Sequence, residues 1–304
     1  MEASKIFRAS QMRQDTFPKL LDALGLEIRP NLVVAVKVNF LEPVPAVIQA
    51  LFMALAERGA TPFLADCAIP YGDALQSLNA AAMNGYLGGA PVVLADGVKG
   101  TDYELIPLRG GKLLRSAKFG RAIMDADLIL TVTRPVLDDR GYRGVLHDLG
   151  FGCAARAGKT EVQTSGKPVV DETLCTGCGK CAAVCEHGGA RLDAETRKAS
   201  IFPPKCSGCY KCMRACPVGA IHPNFDVSDA AVMQKVAEYA KALCDARAHA
   251  HLLLLDSAYF SGDPVALDAL CAEKLALPEE HRAGIAHAAA LAGSGVEYVV
   301  EEIR

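Results

Sequence analysis

Cys175-Thr-Gly-Cys178-Gly-Lys-Cys181-Ala-Ala-Val-Cys185 is followed by Cys206-Ser-Gly-Cys209-Tyr-Lys-Cys212-Met-Arg-Ala-Cys216, each cysteine of the second run standing 31 positions after its counterpart. A tight loop of this spacing can bring three thiolates onto three irons of one cubane, while the fourth cysteine, three residues on, reaches the other cluster. The repeat therefore predicts two [4Fe-4S] clusters, one held by Cys175, Cys178, Cys181 and Cys216, the other by Cys206, Cys209, Cys212 and Cys185. Gly177 and Gly208 recur at one offset, Lys180 and Lys211 at another. A glycine in such a loop lets the backbone pass close to the sulfides and point N–H groups at them. Glu186 and His187 stand where the second run has Pro217, so the cluster served by Cys185 is expected to sit in more polar surroundings.

Other uses of eight cysteines fit less well. Two tetrahedral zincs would be crowded by four thiolates in each short run. A disulfide framework needs an oxidising compartment, and Met1-Glu2-Ala3-Ser4-Lys5 lacks the apolar stretch of a signal peptide. No apolar run approaches membrane-spanning length either. A cytoplasmic, electron-transferring protein is expected, with no membrane and, at a formal net charge of -3, no nucleic acid as partner.

The cluster unit needs only residues 171–221 of 304, in a chain that is 51% hydrophobic and 22% charged. Around it, strand-like and helix-like segments alternate. Asn31 to Val38 is a β-branched run of buried-strand type, with a helical pattern over Val44 to Arg58 and a strand at Thr61 to Ala65. A helix over Ala74 to Tyr86, short strands at Pro91 to Ala95 and Tyr103 to Leu108, a helix over Leu113 to Met124 and a strand at Asp127 to Val132 follow. After the cysteines come a helix from Val227 to Arg247, a strand at His251 to Leu255, a helix from Pro264 to Leu275 and a strand at Val296 to Glu302. Such alternation predicts an α/β domain, a mostly parallel sheet with helices on both faces, built from residues 1–170 and 222–304 and interrupted by an α+β ferredoxin-like insertion at 171–221.

Ligands of a parallel sheet bind beyond the carboxyl ends of its strands. The residues there are Lys37 and Asn39, Asp66 and Cys67, Asp96, Thr133 and Arg134, and Asp256 and Ser257. The segment Gly150-Phe-Gly-Cys153-Ala-Ala-Arg156-Ala-Gly-Lys159-Thr160 adds an anion-holding turn with two cations. It is not a P-loop, since Cys153 stands where the first glycine belongs and His147-Asp148-Leu149 precedes it instead of an apolar strand. Its basic neighbours make Cys153 a candidate nucleophile, proton carrier or ligand. Cys244 and Cys271, on apolar helical faces, read as packing residues.

Lys37-Val-Asn39, Ala95-Asp-Gly97, the Leu149 to Lys159 stretch, the paired cysteine runs and Gly262-Asp-Pro-Val-Ala-Leu-Asp268 together resemble domain-of-unknown-function family 362, whose members are often labelled uncharacterised iron-sulfur centre proteins. The resemblance implies two four-iron clusters within an α/β domain and a return to that domain through S-x-D-P-V-A-x-D, here Ser261 to Asp268. Thr133-Arg-Pro-Val-Leu137 replaces the H-F-K-G-H that family members often carry, which leaves any acid–base role of that motif without its residues. Arg134, Arg140, Arg143 and His147 are the charges nearby.

These residues suggest a low-potential oxidoreductase, or its redox subunit, fed by a ferredoxin- or flavodoxin-type partner and acting on a small anionic substrate or cofactor at the strand ends. Its candidate catalytic groups are Cys153, Arg134 and His147, and its candidate binding groups Lys37, Asn39, Asp66, Arg156 and Lys159. The alternative is a ferredoxin-like electron carrier or assembly partner that docks another protein and has no catalytic site of its own. No G-x-G-x-x-G turn follows the first strand, so nicotinamide has no sequence support.

Overall fold

The computed structural model describes residues 3–11, 15–43, 45–69, 74–138, 141–206, 209–292 and 296–303. The chain divides into two compact units, one formed by Met1–Arg156 with Asp229–Arg304, the other by Ala157–Ser228. Among the described residues no helix is long and apolar enough to cross a membrane.

The larger unit is built on an eight-stranded sheet in the order Tyr298–Glu302, Ser4–Ala9, Ala258–Ser261, Ala248–Leu254, Leu128–Thr133, Val33–Lys37, Thr61–Asp66, Val92–Leu94. Only Ala258–Ser261 runs antiparallel to both its neighbours; the remaining pairings are parallel. Successive side chains of a strand point to opposite faces. One face carries Val34, Val36, Leu64, Leu128, Leu130, Val132, Ala250 and Leu252, packed with Phe17, Leu20, Leu51 and Leu55 of the helices Thr16–Ala23 and Val47–Glu57. The opposite parity is more polar. Lys37 is in register with Thr131, Thr131 with His251, and His251 with Ser261, so a row of buried polar side chains crosses four strands.

Several elements depart from the sequence reading. Ser116–Gly120 is a strand paired with Tyr103–Pro107, and only Arg121–Met124 of the expected 113–124 helix is helical. The reason lies far along the chain. Glu238, fully buried on the Asp229–Ala246 helix, accepts the backbone N–H groups of Lys112, Leu113 and Leu114 at 2.6, 2.9 and 2.8 Å, and so holds those residues in a turn instead of a helix. Glu238→Ala is expected to leave three donors without their acceptor and to cost ~3–5 kcal/mol. Urea unfolding should show a lower midpoint at unchanged slope, and a loss under about 1 kcal/mol would mean that water replaces the carboxylate.

Ser4–Ala9, Ala258–Ser261 and the helix Ala283–Ala292 are further elements that the sequence reading lacks. Asp256 and Ser257 belong to the turn joining two antiparallel strands, where Leu255 donates its N–H to the Ser257 carbonyl, so no crossover follows them. Asp256 accepts from Tyr259 and Lys274, and Ser257 from Arg8; both work locally.

The inserted unit has two antiparallel pairings, Pro168–Val170 with Ile221–Pro223 and Ala190–Leu192 with Ala199–Ile201. The first of these, with the Ser165 N–H donated to the Asn224 carbonyl, brings the ends of the unit together. Two short helices, Lys180–Ala183 and Lys211–Ala215, each start after a residue of positive φ, Gly179 at 76° and Tyr210 at 56°. Its core is small and made largely of cysteine: Cys175, Cys181 and Cys212 with Ala190, Ala199, Ala220 and Ile221. Gly208 lies outside the described residues.

Candidate functional site

In the α/β unit, chemistry gathers where Val33–Lys37, Thr61–Asp66 and Leu128–Thr133 end, since Lys37, Asp66 and Thr133 are the last residues of those strands. The Lys37 ammonium, 1% exposed, lies 3.2 Å from Asp66 Oδ1 and donates to the Val38 carbonyl at 2.6 Å. Burial opposes its charge, but Asp66, then Asp148 and Cys153, hold it above the ordinary lysine range. Asp66 accepts the N–H groups of Phe40 and Cys67, which aims its carboxylate back at the lysine.

Asp148 completes this cluster and was not singled out by sequence reasoning. It accepts the Thr133 hydroxyl at 2.7 Å. Burial pushes its carboxyl up to about 6, against the pull of Lys37 and the Thr133 hydrogen bond, with Glu42 and Asp66 adding to the rise. It opens a π-helical turn, Asp148–Gly152, of the kind that recurs at functional sites. A Cβ at Gly150 would stand 2.1 Å from the Val236 carbonyl oxygen, and one at Gly152 would stand 2.8 Å from the Lys37 Nζ. The two glycines thus let the turn press against the helix on one side and the lysine on the other.

The segment leading into that turn is anchored by the Ser261 to Asp268 motif. Asp263 caps the Pro264–Lys274 helix by accepting the N–H groups of Val265 and Ala266. Asp268, buried on that helix, accepts the N–H groups of Val145 and Leu146 and the Tyr142 hydroxyl. The motif therefore positions the start of the turn that presents Asp148.

The other expected residues distribute as follows. Arg134 is half-buried, beside Glu42 at 3.8 Å and donating to the Pro43 carbonyl. Burial pushes the Tyr86 phenol above its ordinary range against the pull of Arg134 and Lys37, and its hydroxyl donates to the Asn39 carbonyl at 3.0 Å. The Asn39 side chain is engaged in its own turn, with Leu41 and Glu42. His147 packs on Phe151, ring centroids 4.9 Å apart. Cys153 is fully buried, its carbonyl accepting from Cys67 Sγ at 3.3 Å and from the Gly120 N–H at 3.1 Å. Arg156 begins a helix whose first N–H is held by Asp96, and its side chain lies against Gly100. Lys159 is buried and belongs to the inserted unit. Arg143 pairs with Asp138, and Arg140 lies outside the described residues.

In the inserted unit, Cys175, Cys178, Cys181 and Cys216 line one small concavity together with Gly179, Leu192, Ala199 and Ile221. Cys206, Cys209 and Cys185 are the thiols whose charge bears on Cys212, which burial pushes up to about 11. Three cysteines of each run thus gather with the fourth of the other. Backbone N–H groups point at the sulfurs: Ala199 donates to Cys175 at 3.3 Å, Gly189 and Ala190 to Cys185 at 3.2 Å. The Ala190 N–H foremost holds Cys185 below the ordinary thiol range, and that of Lys180 does so for Cys178, whereas burial raises Cys181. Thiols crowded in this way ionise together only around a cationic group, and the donor set of four sulfurs with N–H support fits an iron-sulfur cluster.

The family description "Domain of unknown function (DUF362)" matches residues 28–273. The chain belongs to the DUF362 family. The DUF362 match takes in Lys37, Asp66, Asp148, Asp268 and all eight cysteines of the two runs, while Ser4–Ala9 and Tyr298–Glu302 fall outside it. No curated protein matches the chain. Among solved structures, the DUF362 chain is similar to one described as the lactate racemase apoprotein from Thermoanaerobacterium thermosaccharolyticum, with 13% identity and a TM-score of 0.42. The alignment covers 86% of this chain and 55% of that one, so the chain spans about half the length of that relative.

Proposed function

We propose that the chain is a cytoplasmic iron-sulfur oxidoreductase that takes electrons from a ferredoxin- or flavodoxin-type partner and reduces a small anionic substrate at the strand ends of the α/β unit. The observation that carries this reading is the crossed grouping of the cysteines, three from each run with the fourth of the other, under backbone N–H groups aimed at sulfur. That grouping supports a ferredoxin-like insertion with two [4Fe-4S] clusters, which when bound supply one-electron transfer at low potential. At the other site Asp66 keeps the buried Lys37 oriented, and Arg134, half-buried beside Glu42, is the cation nearer solvent that an anion would meet. Reduction of a double bond takes two electrons and two protons. Asp148 holds one of those protons, because its carboxyl titrates at about 6, within the range useful to a general acid, and the second comes from solvent water.

The test is an anaerobic assay of reduced low-potential dye against a panel of small carboxylic and keto acids. Acid-dependent dye oxidation is expected, and dye oxidation that ignores every acid would mean that the α/β unit docks a protein instead. The rate should fall as pH rises through about 6, as Asp148 loses its proton, and Asp148→Asn should remove that limb. Stability gives an independent readout. A carboxyl at about 6 in the folded state and 3.8 unfolded binds the proton more tightly when folded, so its contribution is lost as pH rises from about 4 to 6. The thermal midpoint of Asp148→Asn should therefore gain on that of the native protein over this window, and parallel curves would contradict the shifted carboxyl.

A further inference from the structure

His249 and His251 stand two residues apart on the Ala248–Leu254 strand and so project to one face. Cys244 lies in the last turn of the Asp229–Ala246 helix, which leads into that strand through Arg247. One ligand atom from each of the three residues lies within 4.8 Å of the others. The imidazoles stack at 25° with centroids 5.0 Å apart, and His249 Nδ1 is 2.9 Å from His251 Nε2. The strand and the helix end thus bring two nitrogens and a sulfur to one point, where the sequence suggested only a packing cysteine.

We propose that Cys244, His249 and His251 form a zinc site in the α/β unit, with three protein ligands and a fourth position reached by solvent. Two imidazoles and one thiolate are a borderline-soft donor set suited to tetrahedral zinc, and three protein ligands plus water is the arrangement of zinc sites that keep an open position. Thr131 orients the pair. Its hydroxyl is 3.0 Å from His251 Nδ1; as acceptor of that ring proton, it turns the Nε2 lone pair toward His249. Burial pushes His249 below the ordinary imidazole range and His251 well below it, so both rings are neutral, as ligands must be. The Cys244 thiol is pushed up to about 12 by burial, then by the charges of Asp245 and Asp263. A thiolate there requires a cation, and those two carboxylates supply a negative field that favours one. Cys244 and His249 are each partly exposed as residues, so the three ligands do not lie wholly inside the core.

The site is separate from the cysteine runs, and its test separates them too. Full-length protein, prepared anaerobically and dialysed against buffer containing zinc, would be analysed for zinc and iron together, with zinc-edge X-ray absorption to count sulfur neighbours. The expected result is about one zinc per chain with one sulfur and two imidazole nitrogens in its shell. Cys244→Ser and His249→Gln should each lose that zinc at unchanged iron, and Thr131→Val should weaken binding ~10–100-fold by releasing the His251 ring. Zinc retained in both ligand variants, a shell of sulfur alone, or no zinc in the native protein would overturn the proposal. In that event the Thr131 hydroxyl donates to His251 and the two rings share an N–H, a hydrogen-bonded chain without metal. His251 is fully buried, so the partly exposed Cys244 and His249 carry the test.

Discussion

Cys178→Ala, assembled anaerobically, is expected to bind about four iron and four sulfide per chain where the native protein binds about eight of each. Cys178 is exposed at the rim of the concavity that Cys175, Cys181 and Cys216 also line, so the substitution removes one sulfur and leaves the packing of the unit nearly unchanged. Cys209→Ala should produce the same loss from the other set, and the two together should strip the protein of iron. Cys244→Ala, outside both sets, should leave the iron count alone. Native protein with about four iron, or with zinc in place of iron in the cysteine runs, would sink the two-cluster reading.

Lys37→Met is expected to cost ~3–5 kcal/mol at pH 7, because it strands Asp66 and Asp148 around a site from which their shared cation has gone. The folded ammonium titrates above its ordinary 10.5, so its contribution is complete below that pH and is lost only in strong alkali. The penalty should shrink toward pH 5, where Asp148, released from the lysine's pull, takes up a proton. Urea unfolding at the two pH values measures this, and a double-mutant cycle with Asp66→Asn isolates the pair. Acid-dependent dye oxidation should disappear in the same variant. A loss below about 1 kcal/mol at both pH values, with activity intact, would show that the lysine is a spectator.

The amino-acid sequence by itself determined those features whose cause is local. Val33–Lys37 and Leu128–Thr133 were legible because continuous apolar, β-branched runs suit strands buried on both faces, and Thr61–Asp66 because it falls where the alternation calls for the next strand; the polar residues that end the three mark the carboxyl rim of the sheet. The cysteine spacing was legible because three ligands of each predicted set lie within seven residues of one another. Tertiary structure alone decided the rest. Ser116–Gly120 reads as helix until Glu238, more than a hundred residues away, takes the N–H groups that precede it. Ser4–Ala9 finds its place only between Tyr298–Glu302 and Ala258–Ser261, partners from the far end of the chain. Asp148 carries no motif, and its acidity is set by burial and by a lysine at the end of a strand far back in the chain. Cys244, His249 and His251 look like core residues until a helix end and a strand put their donor atoms together. Backbone preference and ligand spacing are written in neighbouring residues, whereas desolvation, charge coupling and long-range hydrogen bonds depend on distances that exist only once the chain has folded.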